Sequence, residues 1–342
     1  MPRACALLPV LLWAGACLPA GDGPAVHVFE GPTMGTTFAV RVVADDLGDE
    51  RRAGLRAAIE ETLAGVDERM STYRPESEVS RFNRARTTDP FPVSADTLAV
   101  LRHALEISEL TGGAFDVTVG PLVDAWGFGP AGDPAAPPTE RDIDRLRGQV
   151  GFRKLGIDAA ESSIRKLDPR LALDLSALAK GYAVDRLAER LRVEGLGSYL
   201  VEVGGEVRAG GLSPRGDAWR VGIELPAPGP PTVQRLVSLR DRALATSGDY
   251  RNYYEVDGRR VSHTIDPRSG RPVDHGLASV SVVEPLCVRA DAIATALGVL
   301  GPDAGYELAV AQGWAALLVV RRDDGTLHER ETPAFAALSA AP

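Results

Sequence analysis

The sequence predicts an α+β fold, with largely antiparallel β-sheets flanked by helices. Three observations carry this reading. Asp257-Gly258 joins the strand-like runs "NYYEV" and "RRVSHTI". Asp324-Gly325 does the same between "AALLVVRRD" and "TLHER". An Asp-Gly pair between such runs is a strong hairpin signal, because both central residues of the turn need positive φ. Apolar residues also recur at helical spacing between the strand-like runs, and no regular βαβ order emerges.

The elements follow in chain order. In "TTFAVRVVA", Phe38, Val40 and Val42 alternate with Thr37, Ala39 and Arg41, the pattern of a half-buried strand. Leu55, Ile59, Leu63 and Val66 then repeat at helical spacing. A second helix starts after Ser94, a suitable N-cap, carries Leu98, Leu101 and Leu105, and ends at Gly112-Gly113. "GPAGDPAAPPT" (129–139) and "PAPGPPT" (226–232) read as exposed Pro/Gly-rich loops. "LALDL" (171–175) reads as a strand, with Ser176 capping a helix that carries Leu178, Val184, Leu187 and Leu191. "ADAIATALGVLG" is helical in pattern and ends at Gly301, and Pro302 suits the first position of the next helix. No repeat of fixed period is present.

The chain has 342 residues and a net charge of −9, with 44% hydrophobic and 25% charged residues. That balance suits a globular domain. An acidic chain without clustered Lys and Arg is a poor phosphate-backbone binder, so no nucleic-acid partner is expected. Arg3, the apolar run from Ala4 to Trp13, and the small residues before Cys17 have the pattern of a secretory signal. Small residues directly before a cysteine also resemble a bacterial lipoprotein cleavage site, although Ala14 stands where that pattern usually has Leu. Residues 1–17 therefore read as a signal peptide and 18–25 as a tether. A lipid anchor at Cys17 is one form of the reading, and a plain cleaved signal or a short anchor is the other. The expected location is outside the cytoplasm, in the periplasm, as a membrane-anchored lipoprotein. Three cysteines, Cys5, Cys17 and Cys287, make neither a disulfide framework nor a zinc site.

Several stretches could carry chemistry, and several familiar ones are missing. No P-loop, no G-x-G-x-x-G after a strand, no H-E-x-x-H and no G-x-S-x-G occurs. Asp174 stands where the chain enters the 176–191 helix, whose N-terminus favours anions. It is either a capping residue or a ligand contact. Lys180 on the first turns opposes the helix dipole. An anionic ligand or a carboxylate partner would explain it, and a solvated lysine is the plain alternative. Asp291 and Thr295 are four apart, so both oxygens share one helix face. Such a pair suits a hard cation such as Mg²⁺, and it is equally common as a surface pair. "TGGAFDVTVGPLVDAWGFGP" (111–130) and "EVGGEV" (202–207) combine glycines with acidic residues. Close approach to a flat ligand or a tight core turn would each account for them.

The order of these stretches resembles the FAD:protein FMN transferase family, the ApbE-like flavin transferases. The matching segments are "MGTTFAV" (34–40), "STYRPESEVSRFN" (71–83), "GGAFDVTVGPLVDAWGFGP", "LDLSALAKGYAVD", "YLVEVGGEV" (199–207), "TSGDYRNYYEVDGRRVSHTIDPRSGRPV" (246–273) and "ADAIATAL" (290–297). They span nearly the whole chain after the signal, and residues 26–342 are expected to form a single ApbE-like flavin transferase domain.

The resemblance implies a Mg²⁺-dependent enzyme with FAD as substrate. Such enzymes cleave the pyrophosphate, link FMN by a phosphoester to Ser or Thr of an acceptor protein, and release AMP. The implied partner is an exported acceptor with a Ser/Thr flavinylation motif, a subunit of a membrane redox complex. Met34, Tyr73, Ala114, Phe115, Asp116, Asp174, Lys180 and Ile265 are the implied FAD contacts. The carbonyl of Ala177 and the side chains of Asp291 and Thr295 are the implied Mg²⁺ ligands. Val261, His263 and Ile265 would share one face of a strand, which aims His263 at the FAD site and makes it the candidate general base, with Asp291 its rival. A structural histidine anchoring the next turn is the alternative. The same residues would also suit a Mg²⁺-dependent FAD pyrophosphatase giving FMN and AMP, or a non-catalytic flavin-binding lipoprotein.

Overall fold

Alternation of apolar side chains builds a sheet whose central strands are buried on both faces. A computed structural model describes residues 25–130, 132, 136–227, 230, 232–248, 253–256 and 259–339. The main sheet contains β1 (Ala25–Thr33), β2 (Thr36–Ala44), β3 (Tyr199–Val203), β4 (Glu206–Gly210), β5 (Arg242–Gly248), β6 (Leu277–Glu284), β7 (Ala315–Arg321) and β8 (Leu327–Glu331). They lie side by side in that order, and every neighbouring pair is antiparallel. The fold is α+β, as the hairpin signals predict.

Register decides which core each residue joins. Phe38, Val40 and Val42 face Val203, Val201 and Tyr199 across the β2–β3 ladder. With Ala245 and Val282 they form the main core under the helices. Leu244, Val207 and Val283 point the other way, onto Trp219, Val221 and Ile223 of a hairpin (Trp219–Glu224 with Val233–Leu239) and Phe335 of the helix Pro333–Ser339. The helices on the first face are α1 (Gly48–Met70), α2 (Ala95–Leu110), α3 (Ser176–Val193), α4 (Cys287–Leu300) and α5 (Pro302–Gln312). Ser94 caps α2 by accepting from the Thr97 N–H at 3.2 Å.

The α3–α4 packing rests on Gly181. A Cβ there would lie 2.6 Å from the carbonyl oxygen of Cys287 and 2.9 Å from Cα of Val288. Alanine inside a helix normally gains about 1 kcal/mol over glycine. The clash outweighs that gain, because backbone atoms cannot rotate away. Gly181→Ala is expected to destabilise the fold by about 1–3 kcal/mol, the usual range for overpacking. A urea melt with an unchanged slope would check it.

Three local expectations are corrected. Residues 171–175 form no strand and belong to no ladder. Side chains and a remote loop take their backbone bonds instead. Asn83 holds Leu173 at both N–H (2.7 Å) and C=O (2.8 Å), and the Asp174 N–H donates to Val117 C=O at 2.7 Å. The run "RRVSHTI" is likewise not one strand. Arg259–Ser262 pairs with Tyr253–Val256, the chain breaks at His263-Thr264, and Ile265-Asp266 pairs with Arg271-Pro272. The Ser262 hydroxyl accepts from the Thr264 N–H at 3.2 Å and ends the ladder. Val261, His263 and Ile265 therefore do not share the face of a continuous strand.

Ser176 does not cap α3 either; Asp174 accepts from its N–H at 2.9 Å and its hydroxyl at 2.5 Å. The β7–β8 hairpin forms as predicted, with Gly325 at φ 80°. The Asp257-Gly258 turn, the signal with Cys5 and Cys17, residues 18–24 of the tether and parts of both Pro/Gly loops lie outside the described residues. Among the described residues, no helix is long and apolar enough to cross a membrane.

Candidate active site

One end of the main sheet gathers the chemistry. The β1–β2 turn at Met34-Gly35, the β3–β4 turn at Gly204-Gly205, the end of β5 and the start of β6 all lie there, as the ladders dictate. The Gly204 N–H donates to Thr37 C=O at 3.0 Å and ties the first two turns together. The N-terminal turns of α3 and the middle of α4 face the same end.

Helix α4 is apolar almost all round and buried between α3 and the sheet, so a carboxylate on it needs a reason. Asp291 is only 6% exposed. Among the described residues it accepts one hydrogen bond, from the Gly181 N–H at 3.2 Å. Burial pushes its carboxyl up to about 7; Lys180 opposes this and Glu206 adds to it. Thr295 stands one turn further along the same face, and Gly298 one turn beyond that. Gly298 lines a small cavity of about 10 Å³ with Ser247, Gly248, Thr264 and Val273. Thr264, the neighbour of His263, therefore meets the same cavity as Gly298 on the helix that carries Asp291 and Thr295.

Lys180 has the carboxylate partner that its position on α3 called for. Its Nζ meets Glu206 Oε1 at 2.5 Å. Burial pulls the Lys180 pKa down, but Glu206 and Asp291 together outweigh it and hold the ammonium charged.

An aromatic wall forms beside His263. Phe128 stacks on Tyr254 at 5.2 Å and meets the His263 ring edge-on at 6.2 Å. The Tyr254 hydroxyl donates to Trp126 C=O at 3.0 Å, and Trp126 Nε1 donates to Gly270 C=O at 2.9 Å. Tyr73 is 65% exposed, and its hydroxyl donates to Phe128 C=O at 3.2 Å. Ile265 is buried behind the wall with Leu122, Trp126 and Ile143. The "WGFG" run and the "SHTIDPRSG" turn are parts of one surface.

The remaining sequence-predicted residues divide into two groups. Met34, at φ 46°, makes the β1–β2 turn and packs on the main core. Ala114, Phe115 and Asp116 are buried. Asp116 organises its loop: Oδ1 accepts from the Thr118 N–H and hydroxyl at 2.8 and 2.6 Å, and Oδ2 from the Phe152 N–H at 2.7 Å. Burial raises its pKa, and those bonds offset part of the rise. Asp174 accepts from the N–H and hydroxyl of Ser176, the first residue of α3, while Ala177 lies one turn before Lys180 on the same helix.

Among the described residues no group of three or more His, Cys, Asp and Glu is arranged to hold a metal. The donor set is sparser: one carboxylate, one hydroxyl and a carbonyl. That set fits a hard cation whose remaining ligands come from water and phosphate oxygens.

Residues 34–318 match the ApbE family. This chain belongs to the ApbE family. The ApbE-family chain is 43% identical over 321 residues to the FAD:protein FMN transferase of Vibrio cholerae, covering 94% of each protein. It is 41% identical over 304 residues to that of Salmonella typhimurium, covering 88% of this chain and 86% of the relative. The solved flavin transferase ApbE from Vibrio cholerae superposes with a TM-score of 0.84 at 40% identity, covering 92% of this chain and 99% of that one. The apo form of the Pseudomonas stutzeri flavinyl transferase ApbE gives 0.85 at 41%, with 94% and 98% covered.

Reasoning from sequence missed Glu206, Asp185 and Asn83 in this ApbE-family site. For Glu206 a signal was present: two carboxylates interrupt the otherwise apolar β-strands of "YLVEVGGEV".

Proposed function

We propose that residues 26–342 act as a Mg²⁺-dependent FAD:protein FMN transferase domain that moves FMN from FAD to a Ser or Thr hydroxyl of an acceptor protein. The observation that carries this reading is the buried Asp291, with Thr295 one turn along the same face of an apolar helix. Ala177 C=O, Asp291 and Thr295 would hold the cation, which neutralises pyrophosphate charge and makes AMP a better leaving group. Phe128, Tyr254 and Tyr73 offer flat surfaces for an aromatic ring system. The acceptor oxygen attacks the FMN-side phosphorus, the bond to the AMP oxygen breaks, and the acceptor proton passes to His263. The family membership and the transferase names of the relatives support the reaction class. The acceptor is proposed to be an exported subunit of a membrane redox complex. Export and a lipid on Cys17 rest on residues 1–17 alone.

The test is to incubate the chain with FAD, Mg²⁺ and a candidate acceptor domain, then follow AMP and acceptor fluorescence after denaturation. AMP with a fluorescent acceptor supports the transferase. AMP with only free FMN points to the pyrophosphatase, and no AMP sinks the catalytic reading. His263→Ala is expected to slow transfer on the order of 10²-fold with FAD binding retained, the scale of a general base. Unchanged transfer would remove His263 from the mechanism.

A further inference from the structure

We propose that Glu206 is a positioning residue that draws Lys180 away from Asp291 and so leaves Asp291 open to a divalent cation. This role rests on the cation-dependent reading above.

The geometry shows a routed side chain. Lys180 leaves α3 next to Gly181, whose N–H touches Asp291. Its stem passes over the β3–β4 turn at Gly204. A Cβ on Gly204 would lie 3.0 Å from Lys180 Cδ and 2.8 Å from Thr36 Cγ2, so the turn must be bare for the lysine to cross. The ammonium then ends on Glu206 Oε1 at 2.5 Å. Glu206 is placed to receive it and little else. Its side chain is 4% exposed, against 30% for Lys180. Its second oxygen, Oε2, is buried and has no hydrogen-bond partner. Lys180 has three donors, so both oxygens of Glu206 can serve it.

The alternative resting place for the ammonium is Asp291, which already acts on it electrostatically. An ammonium seated on Asp291 would occupy one of the two charged or hydroxyl ligands of the cation and repel the incoming charge. Glu206 prevents both effects. It takes the short contact, and its charge cancels that of Lys180 beside the cation.

The experiment uses the mature chain without FAD and follows Mn²⁺ binding by electron paramagnetic resonance at one fixed, mildly alkaline pH. Mn²⁺ suits oxygen sites of this kind. Glu206→Gln is expected to weaken Mn²⁺ binding at least about tenfold, a modest effect for one uncancelled charge at close range. The double variant Lys180→Met with Glu206→Gln is expected to recover wild-type affinity, because nothing then competes for Asp291. Thermal melts of both variants identify a folding failure, and the double variant lacks the buried unpaired charge that would cause one. If the wild type binds no Mn²⁺, the cation-dependent reading fails and this inference with it. If the wild type binds and Glu206→Gln binds equally well, only the inference fails. If both variants are equally weak, Glu206 acts directly rather than through Lys180, and the positioning role is overturned.

Discussion

Asp291→Ala is expected to lower AMP release from FAD by roughly 10³-fold, which corresponds to about 4 kcal/mol of lost transition-state stabilisation. The size follows from the position. Asp291 is the one carboxylate of the proposed cation ligands, and it stands on a helix buried along most of its length. Retained FAD binding with lost AMP release would match the expectation, and a fully active variant would sink the proposed site.

The same residue sets a pH dependence. Its carboxyl, ordinarily at 3.8, titrates at about 7 in the cation-free fold because burial disfavours the charge. A cation must displace that proton below about pH 7. Cation affinity is therefore expected to fall about tenfold per pH unit below 7 and to level off above it. Stability of the cation-free chain runs the other way. In the window between 3.8 and about 7 the unfolded carboxyl has lost its proton and the folded one keeps it. Raising pH through that window costs folding free energy, and bound cation recovers it. Mn²⁺ titrations across the window, paired with melts with and without the ion, would show both slopes.

Asp185→Ala is expected to cost the fold about 3–5 kcal/mol, the scale for removing one partner of a buried charged network. Helix α4 begins at Cys287 without a capping side chain of its own. Asp185, on α3, accepts from the Cys287 and Val288 N–H groups at 3.0 and 2.9 Å and binds Arg208 at 2.6 Å. Alanine would leave two helix N–H groups and a largely buried guanidinium without acceptors. The Asp185→Asn variant keeps an acceptor and should lose less. Chemical denaturation of the two variants would show that order, and equal midpoints would contradict it. Because the first turn of α4 precedes Asp291 by four residues, the alanine variant should also lose cation affinity.

The proportion legible in the sequence follows the range of the interactions involved. The β7–β8 hairpin, the Ser94 cap and the stop at Gly301 before Pro302 were readable because each depends on residues a few positions apart. Asp291 and Thr295 were readable as a pair for the same reason: helical periodicity alone places them on one face. The family was legible because its segments recur in order along the chain.

Other features are set by residues far apart in the chain. Residues 171–175 have strand composition, yet Asn83 and Val117 take their backbone groups, at separations no local pattern reveals. His263 sits in a run with β-propensity, but the pairing of Ile265-Asp266 with Arg271-Pro272 breaks the strand around it. The sequence by itself determined the α+β class, the family and the residue types available for the chemistry, since turn chemistry, periodicity and segment order are written locally. Only the tertiary structure decided that Glu206 holds Lys180, that Asp185 caps a helix other than its own, and that Phe128 and Tyr254 form one wall with His263. Those contacts join elements separated by long stretches of chain, and they exist only once the sheet and its helices have packed.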